Sequence, residues 1–147
     1  MLSQTEHAAI KSFVKNTVGC VCPEEVFAAV EYHKNAAVSH AEPYSIKCLI
    51  GQRLLIYIVY YPTVFALQSL LPLMVKVGKR ERDEKGLNRF RAVIVTEAKA
   101  DLAPVAAGLF DELSGRDDNI HLHVIAADES KAMTCLTGYG CQHDVAD

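Results

Sequence analysis

The chain has 147 residues, half of them apolar and 22% charged, with a formal net charge of −3. That length fits one domain able to bury a core without disulfides or a structural metal, and the composition excludes extended disorder. The near-balanced charge supplies no steering field, so nothing in it indicates wholesale binding to nucleic acid or to an acidic membrane surface.

Ser3 with Glu6 forms a capping box, and Ile10, Phe13, Val14 and Val18 recur at helical spacing up to Gly19, so a first helix is expected from Gln4 to about Thr17. Cys20-Val21-Cys22-Pro23-Glu24-Glu25 has the grammar of a helix start, and a short helix should run from Pro23 to about Ala28. Val30 and Tyr32 alternate with Glu31 and His33, which leans towards a strand; Lys34 to Pro43 reads as a surface loop.

Ser45 to Ile50 and Arg53 to Tyr61 flank Gly51-Gln52, the pattern of a type II′ hairpin. Leu54 to Val75 is 22 residues without a charge, long enough to cross a bilayer. Its first part is β-branched and aromatic, Pro62 ends that part and Pro72 interrupts the rest. A strand, a turn and a helix are therefore expected in place of a membrane span.

The helix after Pro62 should run in two parts around Pro72 to about Lys85, and Gly86-Leu87-Asn88 breaks it. Arg89 to Thr96 follows, with Arg91-Ala92-Val93-Ile94-Val95-Thr96 as its apolar heart, the pattern of a central strand buried on both faces. Asp101 then opens a helix with Pro104 in its first turn and a stripe at Leu102, Val105, Leu109 and Leu113. Asp117-Asp118-Asn119 turns the chain into a last strand, Ile120 to Ala127, with a short helix from about Glu129 to Cys135 beyond.

These elements imply a single α/β domain over residues 1–147: a helical segment (1–28), a sheet core (45–136) and an irregular tail (137–147). The expected sheet is mixed, with three parallel strands in βαβαβ order, an antiparallel hairpin strand on one edge, and the N-terminal helices packed on one face.

Ligands of open parallel sheets bind beyond the carboxyl ends of the strands, which places Tyr61, Thr96, Glu97 and Asp128 on a candidate rim. Neither Thr96-Glu97-Ala98 nor Asp128-Glu129-Ser130 has the glycines of a nucleotide fingerprint. Cys20 and Cys22, at the mouth of a helix, are the sharper candidates, because backbone amides there favour thiolate. Glu24 and Glu25 oppose that effect, and Cys-x-Cys is one residue shorter than the redox motif.

A zinc or iron-sulfur site needs further ligands, and Cys135, Cys141 and His143 in the tail would supply them if the chain ends meet. His121 and His123 share one face of the last strand, a usable metal spacing without an identifiable third ligand. Cys48 alternates with Ile46 and Ile50 and reads as core. Seven of the fifteen basic residues lie between Lys76 and Arg91, either a solvated helix terminus or a surface for phosphate or an acidic partner.

Five cysteines, an odd number, and an opening without the basic-then-apolar pattern of a secretory leader point to a reduced, cytoplasmic setting. The leading functional expectation is thiol-redox or metal chemistry at Cys20-x-Cys22. The alternative is a non-catalytic binding or assembly module using the sheet rim, or an edge strand through which the chain forms a homo-oligomer.

Overall fold

The computed structural model describes residues 4–17, 27–115 and 117–126. Its elements are α1 (Gln4–Ser12) with a π-helical continuation (Phe13–Thr17), β1 (Val30–Lys34), β2 (Ile46–Ile50), β3 (Leu54–Tyr60), α2 (Val64–Glu84), β4 (Arg89–Thr96), α3 (Lys99–Ser114) and β5 (Ile120–Ala126). The strands form one mixed sheet in the order β1-β2-β3-β4-β5. β1–β2 and β2–β3 pair antiparallel, β3–β4 and β4–β5 parallel.

Period-two alternation divides the core between the two faces of this sheet. Ile56, Ile58, Tyr60, Val93 and Val95 point to one face, where they join Ile10, Phe13 and Val14 of the first helix and Phe27. Leu55, Tyr57, Val59, Ala92 and Ile94 point to the other, where Leu67, Leu71 and Met74 of α2 and Leu102, Ala106 and Phe110 of α3 cover them. Two crossovers stepping the same way along a sheet place both helices on one side, which accounts for α2 and α3 packing together. Burial on both faces is why β3 reads as an unbroken apolar run.

Four expectations are corrected. The Ser45 strand is not an edge, because β1 pairs outside β2; Val30 and Tyr32 pack on the first core cluster while Glu31 and His33 stay exposed. The hairpin turn has positive φ at both Gly51 (58°) and Gln52 (57°), the type I′ pattern in place of II′, and Arg53 N–H closes it on Ile50 O at 3.0 Å. α2 runs unbroken through Pro72, since the carbonyl that proline leaves without a helical donor belongs to exposed Gln68, which water reaches. α3 begins at Lys99, two residues ahead of Asp101.

The uncharged stretch from Leu54 resolves into β3, a short connection and the first half of α2. Among the described residues no helix is long and apolar enough to cross a membrane. The helix expected from Pro23, the one expected from Glu129 and the tail lie outside the described residues, apart from Phe27 and Ala28 in a short 3-10 turn.

Candidate functional site

β1 runs parallel to β3 although the two are not neighbours, so the loop that leaves β1 emerges at the carboxyl end of the sheet, beside the end of β3. Asn35 pins this loop. Its N–H donates to Ser45 O (2.8 Å), its Nδ2 donates to Glu42 O (3.1 Å) and Tyr44 O (2.9 Å), and its Oδ1 accepts from Ala37 N–H (3.3 Å). The loop is thereby held across one side of α2.

Between loop and helix lies an open groove of about 620 Å³. Val38, Ser39 and His40 form its loop wall, and Val59, Tyr60 and Pro62 its floor at the end of β3. Ala66, Ser69, Leu70 and Leu73 form the helix wall, at helical spacing. These four alternate around the helix with Leu67, Leu71 and Met74, which are buried against the sheet. α2 is thus apolar over a wider arc than the sheet alone covers. Phe65, 83% exposed, stands one turn before Ser69 on the same face.

A second crevice, about 300 Å³, opens further along α2. Tyr57, fully buried and in cross-strand register with Lys47, donates its hydroxyl to Glu81, whose other oxygen accepts from Lys47 (2.8 Å) and Lys85 (2.6 Å). Burial by itself would raise the Glu81 carboxyl; hydrogen bonds from Lys47, Lys85 and Tyr57 overcome it and bring the group down to about 2. Burial, then the bond to Glu81, pushes the Tyr57 phenol upwards. The Tyr44 ring lies 4.6 Å from that of Tyr57, so the network also anchors the far end of the loop.

Of the rim residues expected from the sequence, Tyr61, Thr96 and Glu97 do share one end of the sheet, since β3 and β4 are paired there and Tyr61 N–H donates to Val95 O at 2.7 Å. Thr96 is buried, and its hydroxyl accepts from Ala98 N–H at 2.9 Å, which commits it to the turn into α3. Glu97 is exposed. Tyr61 has φ 54°, in the left-handed region that an aromatic residue enters only at a cost. The groove opens on the α2 side of this rim, bordered by the residues on either side of Tyr61. Asp128 lies outside the described residues, as do Cys20, Cys22, Cys135, Cys141 and His143.

Cys48 is fully buried, and burial lifts its thiol to about 12, so it is an inert core residue as its strand position implies. His121 and His123 share the face opposite α2 and α3, but Arg91 occupies the Nε2 side of His123. Among the described residues no group of three or more His, Cys, Asp or Glu side chains could hold a metal ion.

The basic stretch is divided. Arg82 is buried and pairs with Asp117 of the α3–β5 connection (2.7 Å), Lys85 is engaged by Glu81, and Arg91 is buried in β4. A sign of the groove that the chain does carry is the placing of Ala66, Leu70 and Leu73 at helical spacing beside the core positions Leu67, Leu71 and Met74. No family model matches the chain, and no curated protein or solved structure matches it significantly.

Proposed function

We propose that the chain is a non-catalytic binding module that takes a small, mainly apolar ligand in the groove at the carboxyl end of the sheet. The observation that supports this reading is the groove itself: about 620 Å³, walled by Val38, Val59, Leu70 and Leu73, with a few hydroxyl and imidazole groups at its margin. Small-molecule sites commonly have that volume and that balance. Its position, where β3 hands over to α2, is also where open α/β sheets bind ligands.

The test is titration with a neutral apolar fluorophore such as N-phenyl-1-naphthylamine. Leu73→Glu should weaken binding about tenfold or more, because a buried carboxylate would face the ligand. Ala66→Glu, at an exposed wall position that leaves the core intact, should do the same. Undiminished binding by both variants would remove the groove from consideration.

Assembly through the edge strand β1 has less support, since Glu31, His33 and Lys34 line it with exposed polar groups of the kind that discourage strand pairing. The thiol-redox or metal reading of Cys20 and Cys22, with zinc or iron-sulfur as the candidate groups, rests on the sequence, where the two thiols stand at an expected helix start. Elemental analysis with a free-thiol count tests it. Stoichiometric metal and protected thiols would put that reading first.

A further inference from the structure

We infer that the groove's ligand is an apolar carboxylate, a chain or ring system carrying one acidic end that sits beside Ser39 and His40. This rests on the groove reading above and adds the chemistry of the ligand. The walls decide the apolar part: Val38, Val59, Leu70 and Leu73 offer no hydrogen bond, so a ligand polar along its length would leave its groups unpaired there.

The margin decides the acidic end. No carboxylate occurs among the described residues that line the groove, and its polar side chains are Ser39, His40 and Ser69; Tyr60 lines it while its ring packs on the opposite face of the sheet. A cationic ligand would therefore find no counter-charge, whereas an anionic one meets the hydrogen-bond donors of an imidazole and two hydroxyls. Ser39 Oγ accepts from Glu42 N–H at 3.1 Å, which leaves its hydroxyl proton to donate outwards. The nearest acid of the loop, Glu42, lines the second crevice instead, with Lys47, Arg80, Glu81, Glu84 and Lys85.

The helix adds to the same sign. α2 begins two residues after Pro62 of the groove floor, its first turn contains no acidic residue, and its cap is the neutral Thr63, whose Oγ1 accepts from Ala66 N–H at 3.0 Å. The positive end of the helix dipole is thus not offset by a carboxylate of its own. Cavity, margin and dipole agree on an anion attached to an apolar body.

The experiment is displacement of the neutral fluorophore by three competitors of equal chain length, below their micelle concentrations: decanoate, decanol and decylammonium. Decanoate should displace at about one-tenth the concentration of decanol, the scale of one charge-assisted hydrogen bond, and decylammonium should be weakest. His40→Ala should bring decanoate to the level of decanol and leave decanol unchanged. Equal potency of decanoate and decanol, or no effect of His40→Ala, would overturn the acidic-end assignment while the groove reading stands. Absence of fluorophore binding to the wild-type chain would overturn both.

Discussion

Arg91 Nη1 lies 2.9 Å from His123 Nε2, and because a guanidinium has only hydrogens to offer, the imidazole nitrogen must accept. His123 is therefore neutral, with its proton on Nδ1. Burial, then the charge of Arg91 and the neighbouring His121, lowers its titration to about 4.

A pH dependence follows from that pair. The unfolded histidine takes up a proton near 6.5 and the folded one does not until about 4, so stability falls as the pH drops through this window. His123→Gln keeps an acceptor for Arg91 and removes the titration. Urea unfolding between pH 7 and 4 should show the wild-type chain losing on the order of 2–3 kcal/mol more than the variant. Parallel pH profiles would mean that the Arg91–His123 contact does not persist in solution.

Glu81 acts in a lower window with the opposite charge. Its carboxyl is held down to about 2, so the stability it contributes is present above the ordinary carboxylate value and is lost as pH falls from about 4.5 towards 2. Glu81→Gln should cost about 2 kcal/mol at neutral pH, because Lys47 then keeps a half-buried ammonium without its counter-ion. A loss below 0.5 kcal/mol, read by chemical denaturation with an accuracy of about 10–15%, would show the network to be a surface feature.

Gly78 lets α2 lie directly against a ring of the sheet. A Cβ built there would run into the ring of Phe90, a fully buried residue of β4 that also meets Tyr57 edge-on at 5.0 Å. Gly78→Ala should destabilise by about 1–3 kcal/mol despite the better helix propensity of alanine. Phe90→Leu in the same chain should recover part of the loss relative to Phe90→Leu alone, and a thermodynamic cycle of the four proteins measures the coupling.

Gln52 and Tyr61 both hold left-handed backbone conformations, at φ 57° and 54°. Gln52→Gly in the hairpin turn should raise stability by about 1 kcal/mol, since Gln52 is an exposed turn residue. Tyr61→Gly should relieve similar strain but also removes a ring 6.0 Å from that of Tyr60, which packs on the α1 side of the sheet. Thermal melting of both variants checks this: a larger gain for Gln52→Gly than for Tyr61→Gly is expected.

The helices and inner strands were legible because their signals are local. Leu54 to Tyr60 and Arg89 to Thr96 are long enough and β-branched enough to stand as strands by themselves, and Leu102 to Leu113 carries its own helical stripe. β1 was faint because only Val30 and Tyr32 distinguish it from a loop. The site was legible as a place and not as a shape. Tyr61, Thr96 and Glu97 lie at the end of the sheet where the groove opens, but the groove depends on Asn35 gripping residues seven and nine positions later, a grip that composition does not encode.

The Glu81 network was hidden for a related reason. Tyr57 sits in an apolar strand and Glu81 in a charged run that reads as solvated; only the packing of α2 on β2 and β3 brings them together across 24 positions. Tertiary contacts also split the basic stretch: Arg82 of α2 meets Asp117 before β5, and Arg91, on the opposite face of the sheet, meets His123 of β5.

If the groove beneath the β1–β2 loop is where this chain takes its ligand, an amide-resolved NMR titration with the neutral fluorophore should give saturable shifts concentrated at Ser39, His40, Ala66, Ser69, Leu70 and Leu73, with the β5 face silent. Shifts centred on α1 or β5, or none at saturating probe, would contradict the groove reading.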